Sequence, residues 1–516
     1  MHAGGSVLGV DVGTTSTKAG VYDLQGAELA VATAVTVLHR EPDGSVWQDP
    51  RELLSAAQSA IGEALGRAGV SGASILAAGI SGQMAGVMGI DAAGEAAIPY
   101  DSWLDTRCAS QLRALADGHG AEVLMRTGCP PMVDHAPKMQ WWRDERPRDY
   151  ARVARFVMPA AYVAGRLAGL AAADAFIDPT YLHFTGVADG RTATWSSELV
   201  AALNLDAAKL PRIVASDAII GHVTTAMAED CGLAAGTPLV AGMGDTAAGA
   251  LGAGLTRPGD LLDTAGTAAV LSSPLPRFAA DPEGALIVMR TGPGDRWAAL
   301  NYIAGGGLCL PWLAAQLLPD PVWPGQARAG AIPELLNAAA AVGPGADGLR
   351  FMPHLEGRTA PYEPHLRGGF VGLAPGHGHG HLARAVLESI ALEYRLYLEA
   401  MRRLDPRAGT GEVLAIGGGS RSGLWNAIKA EVLGIPLRRV ELEETATRGV
   451  ALLAGGAVGV LDAEAVAADV ALGPCVEPDP GRHARYHETL EAHRRVLAAF
   501  SELSASELRP HAAVVA

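Results

Sequence analysis

Leu8-Gly-Val-Asp-Val-Gly-Thr-Thr-Ser-Thr-Lys18 is the stretch on which the fold turns. An apolar run ends in a carboxylate, Asp11, a small-residue turn follows, and a second strand opens at Lys18. Gly13 permits dihedrals that bulkier residues avoid, and successive N–H groups in such a turn can converge on an anion. The hydroxyls of Thr14, Thr15 and Ser16 add donors around the same point. The stretch therefore reads in two ways: a phosphate-facing turn with Asp11 holding a metal, or an ordinary hairpin turn rich in Ser and Thr. The rest of the chain has to decide between them.

Outward from this turn, the pattern predicts strands over 7–10, 18–22 and 28–35, a meander whose first hairpin is the turn itself. Asp49-Pro50 then sets an N-cap and a first helical position for a helix running to about 67. Residues 75–80 read as a buried strand leading into a ligand-facing loop, Ser81-Gly-Gln-Met84. A polar-aromatic segment, Tyr100-Asp-Ser-Trp-Leu-Asp-Thr-Arg107, runs into another helix, and about 130–233 is expected to decorate a core rather than form part of it.

A second unit begins at Pro238-Leu-Val-Ala-Gly-Met-Gly-Asp245, again a strand, a small-residue turn and a carboxylate. Leu261-Leu-Asp-Thr-Ala-Gly-Thr267 then echoes the opening stretch, with Asp263, Thr264, Gly266 and Thr267 in place of Asp11, Gly13, Thr14 and Thr15. A phosphate-type hairpin recurring some 250 residues later suggests a duplicated architecture that clamps a nucleotide between two halves. Farther on come a long core helix from His381 to about 403, a strand over 412–416, the loop Gly417-Gly-Gly-Ser420 and a helix over 424–433. A last amphipathic helix is expected over 482–501, with a fraying tail.

Composition narrows the class. A chain of 516 residues exceeds one ordinary core, and 49% apolar residues supply sizeable ones. The net charge of −15 and the short, isolated basic pairs argue against nucleic acid or an anionic membrane as partner. Five scattered cysteines without a CxxC pair read as reduced thiols of a cytoplasmic protein. The first residues carry neither a basic nor an apolar leader region, and the longest apolar run, 449–461, stops at Asp462, so no membrane span is expected. No GxxxxGK[ST] occurs, which argues against a P-loop enzyme.

Gly368-Gly-Phe-Val-Gly-Leu373, followed after seven residues by His381-Leu-Ala-Arg-Ala-Val-Leu-Glu388, resembles the C-terminal signature of the FGGY carbohydrate kinases. These belong to the actin/hexokinase/Hsp70 ATPase superfamily. The Asp11 turn, Gly82-Gln-Met84, Trp103 to Arg107, Gly242-Met-Gly-Asp245, Asp263 to Thr267 and Gly417 to Asn426 follow in the family's order. The N-terminal signature is met only in part: Lys138-Met-Gln-Trp141 fits, whereas His135 and Trp142 depart from it. Within the family the chain looks nearest to xylulokinases, except that Ala85 stands where those usually carry His.

The resemblance implies an α/β fold of two ribonuclease-H-like domains around a cleft, expected at 1–254 and 255–480, with a C-terminal helix and tail over 481–516. It implies ATP and Mg²⁺ as cofactors and a sugar or polyol as partner, with a homodimer as one assembly. Asp245 becomes the general base, with Thr246 beside it, and Asp11 the Mg²⁺ ligand. The turn of Gly13, Thr14, Thr15 and Ser16 and that of Gly266 and Thr267 would approach the phosphates from opposite domains. Gly417, Gly418, Gly419, Ser420 and Asn426 would border adenosine, although three glycines alone equally suit helix–strand packing. Gln83, Met84, Trp103, Asp105 and Arg107 would line the sugar site. His377, His379 and His381 lie in a Gly-rich loop without a nearby Cys and read as loop residues ahead of a metal site. The expected reaction is phosphorylation of a ketopentose. The alternatives are a kinase for ribulose, erythritol or glycerol, and a non-catalytic ATPase-fold sugar sensor.

Overall fold

The computed structural model describes residues 5–323 and 325–507. Two seven-stranded sheets organise the chain, and they repeat one plan. In the first, Ser6–Val12, Ser16–Tyr22 and Glu28–Val35 form the antiparallel meander, while Ile75–Gly82 runs parallel to Ser6–Val12 on its other side. Pro238–Val240 continues beyond it, and Ile219–His222 closes the edge antiparallel. In the second, Leu261–Ala265, Ala269–Leu275 and Trp297–Ile303 repeat the meander. Val413–Ile416 and Leu437–Val440 repeat the parallel pair, and Leu472–Val476 the antiparallel edge.

Each sheet buries one face on helices of its own half. Leu8, Val10 and Val12 pack with Leu53, Ala57 and Ile61 of the helix Pro50–Ala68, which Asp49 caps by accepting the N–H of Arg51. Leu261, Ala265, Val413 and Ala415 belong to the core formed with the helices His379–Leu404 and Gly423–Leu433. The opposite faces exchange helices. Thr445–Ala457, from the second half, lies against the first sheet, and Asp245–Gly252, from the first half, packs Ala250 on Leu262, Leu414 and Ile416 of the second. The two helices cross at glycine. A Cβ on Gly252 would stand 1.8 Å from the Thr445 carbonyl oxygen, and one on Gly449 would stand 1.9 Å from that of Ala248. Arg448 secures the crossing through the Gly252, Gly26 and Val466 carbonyls at 2.8, 3.1 and 2.7 Å.

Two expectations change here. The region 130–233 is no mere decoration, since the helix Pro159–Ala168 packs into the first sheet's core and Ile219–His222 is that sheet's edge strand. Four of that helix's ten residues are alanine, so its apolar signal is weak in sequence although Ala160, Ala161, Val163, Ala164 and Leu167 are all buried. The C-terminal helix is Pro480–Glu507 and is docked in the second half: the Tyr486 hydroxyl accepts from Arg384 (2.6 Å) and donates to Glu388 (2.8 Å). The helix thus runs past the expected end at 501, and the remainder of the tail expected to fray, 508–516, lies outside the described residues.

The echo of the opening stretch is real, but it is shifted by one residue. Gly13 donates to the Ser16 carbonyl and Gly266 to that of Ala268, so the glycines correspond and Thr264, not Asp263, occupies the place of Asp11. A one-residue shift in a strand turns a side chain to the other face. Asp263 is accordingly fully buried among the second half's helices, paired with Lys429 and accepting from the Tyr394 hydroxyl at 2.7 Å.

Candidate active site

Asp11, Ser81 and Met243 stand in register across neighbouring strands, and Asp245 begins the helix immediately after Met243–Gly244. The register brings two carboxylates to one end of the sheet. Asp11 accepts from Ser81 Oγ at 2.8 Å through Oδ1. Asp245 Oδ1 accepts from the Thr246 N–H at 2.6 Å and from Thr246 Oγ1 at 3.1 Å. Burial, and next the charge of Asp11, push the Asp245 carboxyl up to about 7. Burial also raises Asp11, against the Ser81 hydrogen bond and the charge of Lys18. Lys18 itself reaches across to Glu444, 2.8 Å from both carboxylate oxygens, and ties the halves together beside Asp11.

The two glycine turns present open amides. Among the described residues nothing accepts the backbone N–H of Thr14, Thr15 or Thr267, and Thr15, Gly266 and Thr267 are exposed. Gly13 and Ser16 close the first turn by their 3.1 Å backbone hydrogen bond. Sequence reasoning passed over Gly305-Gly-Gly307, although the glycine run is a visible signal. Gly307 donates to the Thr267 carbonyl at 3.0 Å, and a Cβ there would come within 1.6 Å of the Gly266 oxygen.

The third glycine loop leaves the strand Val413–Ile416 with Gly417 at φ 81° and comes against Ala265 and Gly266. Gly417 and Gly418 are exposed, and Gly419 packs against Trp425. Ser420 and Asn426 spend their donors inside the loop, on the Gly417 and Ser420 carbonyls (both 2.7 Å). Asn426 Oδ1 has no partner among the described residues. His379 and His381 lie in the first turn of the helix His379–Leu404 rather than in a loop, and His381 serves that helix's own N-terminus, its Nδ1 accepting from the Gly378 N–H at 3.2 Å and its Nε2 facing Asp347 at 3.1 Å.

Beside Asp245 lies a cavity of about 170 Å³, lined by Gln83, Met84, Ala85, Trp103, Asp245 and Thr246 from the first half. His183 and Phe184 complete that side, and Ala268, Val270, Met289, Leu300 and Tyr302 of the second half face it. Gln83 and Trp103 are fixed through Thr14. The Trp103 indole N–H donates to Thr14 Oγ1 (3.1 Å), which donates to Gln83 Oε1 (3.1 Å), so the phosphate-type turn and the cavity share one network. Asp105 and Arg107 do not line the cavity as expected. Asp105 accepts the Val46 N–H (2.9 Å), and Arg107 holds Asp105 and Asp101 at 2.8 and 2.7 Å while stacking 4.0 Å from the Trp141 ring centre. They brace the loop bearing Trp103, and Arg107 borders a separate groove of about 500 Å³ with Trp47 and Arg152.

Comparison with known proteins identifies the family and the fold. Residues 6–252 match the N-terminal domain, and 262–458 the C-terminal domain, of the FGGY family of carbohydrate kinases. A xylulose kinase of Staphylococcus epidermidis is 27% identical over 509 residues, covering 97% of this chain and 98% of that protein. A glycerol kinase of Citrifermentans bemidjiense is 30% identical over 496 residues, 93% and 95% of the two chains. The crystal structure of a xylulose kinase from Rhodospirillum rubrum superposes with a TM-score of 0.87 at 28% identity, over 97% of this chain and all of that one. The duplicated sheets are thus the two-domain actin/hexokinase-like ATPase fold.

Proposed function

We propose that the chain, which belongs to the FGGY family of carbohydrate kinases and is a sugar kinase, transfers the γ-phosphoryl group of ATP to a hydroxyl of a ketopentose, as a xylulose kinase does. The observation that carries this reading is the pairing of Asp245, which lines a small open cavity, with Asp11 beside open turn amides. Asp245 takes the proton of the attacking hydroxyl. Its carboxyl, raised to about 7, is a better base than an ordinary aspartate, and Thr246 fixes its orientation.

Asp11 engages Ser81 through Oδ1, no described residue donates to its Oδ2, and its charge raises Asp245, a repulsion that a divalent cation relieves. These hard oxygen donors fit Mg²⁺, which when bound neutralises phosphate charge. The turns at 13–16 and 266–267 donate amides to the phosphates from opposite halves, and the loop 417–420 borders the nucleoside. Closure of the halves excludes water from the transfer. The five cysteines are unpaired, in keeping with a cytoplasmic enzyme.

A second reading, a kinase for a shorter polyol such as glycerol or erythritol, is favoured by the cavity's small volume, about 170 Å³. An ADP-release assay over ketopentoses, tetritols and glycerol separates the two. Asp245→Asn should abolish sugar-dependent ADP release, by about 10²-fold or more, while leaving ATP binding intact. Turnover retained in that variant would remove Asp245 from the mechanism.

A further inference from the structure

Thr14 belongs to two sets of groups at once. Its backbone N–H is one of the open amides of the first turn, whereas its hydroxyl and carbonyl join a ring of hydrogen bonds with Gln83, Gln48 and Trp103. Gln48 and Gln83 are buried, so water does not compete for these bonds.

The direction of every bond in the ring follows from its two ends. The Thr14 carbonyl oxygen can only accept, so Gln48 turns Nε2 to it, at 2.9 Å, and presents Oε1 to Gln83. Gln83 must then offer Nε2 to Gln48, at 2.6 Å, which leaves its Oε1 for Thr14. The second N–H of that amide is taken by the Gly13 carbonyl at 3.4 Å. The Trp103 indole N–H can only donate, and it meets Thr14 Oγ1 at 3.1 Å. The single proton of the Thr14 hydroxyl therefore goes to Gln83 Oε1, also at 3.1 Å. None is left on Oγ1 for a phosphate oxygen.

Trp103 and Gln83 both line the cavity beside Asp245, whereas Gln48, on the strand Val46–Gln48, does not. The backbone around Trp103 is fixed without Thr14. The buried Lys138 donates to the Ser102 and Asp105 carbonyls at 3.0 and 2.7 Å, and Asp105 accepts the Val46 N–H at 2.9 Å. The indole N–H, in contrast, is bonded to Thr14. One hydroxyl thus sets both the Trp103 ring and the Gln83 amide, on a loop whose backbone is already held.

We propose that Thr14, with Gln48 behind it, is a positioning residue for the acceptor: its hydroxyl fixes the Trp103 ring and the Gln83 amide that a sugar or polyol meets, and phosphate is left to the backbone amides of the same turn. The inference rests on the reading of the cavity as the acceptor site. Holding a ring and an amide in place before binding removes an ordering cost that the acceptor would otherwise meet. The turn therefore serves both ligands, each through a different part of the same residue.

The test is steady-state ADP release by the full chain, varying ATP and then the best acceptor among D-xylulose, D-ribulose, erythritol and glycerol. The proteins are wild type, Thr14→Val, Thr14→Ser and Gln48→Met. Thr14→Val keeps the branched shape and the backbone amide and loses the hydroxyl. Its KM for the acceptor should rise about tenfold, with KM for ATP within about twofold of wild type. Thr14→Ser restores the hydroxyl and should bring the acceptor KM back to within about threefold of wild type. Gln48→Met should show the same split, the acceptor KM rising about threefold or more. A general loosening of the turn would raise both constants together.

In Thr14→Val, a KM for ATP that rises alone or as much as the acceptor's overturns the role, as do two unchanged constants. A Thr14→Ser variant no better than Thr14→Val overturns it too. Should Thr14→Val lack a cooperative melt, Gln48→Met decides by the same criteria. Wild type that releases ADP with none of these acceptors would instead sink the acceptor-site reading, and the role of Thr14 with it.

Discussion

Asp245 is held in a state that lowers stability at neutral pH. Its carboxyl stands at about 7 in the folded chain against 3.8 as the ordinary value, because burial and the Asp11 charge disfavour ionisation. Folding therefore takes up a proton between those values, and stability is lost as the pH rises from 3.8 through about 7 and levels off above. Asparagine carries no charge to bury. In Mg²⁺-free buffer Asp245→Asn should melt higher than wild type at pH 8, by the equivalent of about 1–2 kcal/mol once partial exposure is discounted. The gap should close toward pH 4. Melting curves at the two pH values check this, and a gap independent of pH would mean that Asp245 ionises freely. The same residue was legible in sequence as a carboxylate ending a strand, because Gly242-Met-Gly-Asp245 is a local pattern. Its elevated affinity for a proton was not, since that comes from burial in the assembled fold and, next, from Asp11, more than two hundred residues away in the chain.

The exchanged helices depend on backbone contact, and this can be tested against an open glycine. Gly449→Ala would put a methyl 1.9 Å from the Ala248 oxygen, where neither helix can retreat without lifting from its sheet. The expected cost is about 3 kcal/mol or more, as for a severe overpacking. Gly66→Ala, on the exposed side of the helix Pro50–Ala68 with nothing within 4 Å, should instead stabilise by about 0.5–1 kcal/mol through propensity. Denaturant melts of both variants decide the matter, and similar values for the two would show that the crossing has slack. Element placement was legible in the first meander, where Gly13 and flanking apolar runs fix a hairpin. It was misread at Asp263, where apolar residues on both faces of a buried strand leave no alternation from which to read the phase. The helix Pro159–Ala168 escaped notice for the related reason that alanine marks a buried face only faintly.

Across the whole molecule the cavity proposed for the acceptor is composite, and that is why half of it could not be read in advance. Gln83, Met84, Trp103 and Asp245 announce themselves near glycines and loop ends, whereas Val270, Met289 and Leu300 look like any strand residues until the second sheet is laid over the first half. The turns proposed for the nucleotide are divided in the same way, 13–16 on one half and 266–267 with 417–420 on the other. Ligands at both places must therefore draw on one arrangement of the two halves, which Lys18–Glu444 and the Arg448 contacts span. A ligand that favours the closed arrangement lowers the cost of closure for the next, and linkage makes the effect mutual. A non-hydrolysable ATP analogue should bind at least about fivefold tighter when the acceptor sugar saturates its site, and the sugar should gain by the same factor in the presence of the analogue. Calorimetric titrations in both orders measure the two factors. Equal affinities with and without the partner ligand would show that the halves close independently of what fills them, and the cavity wall from the second sheet would then be a static lining rather than part of a closing jaw.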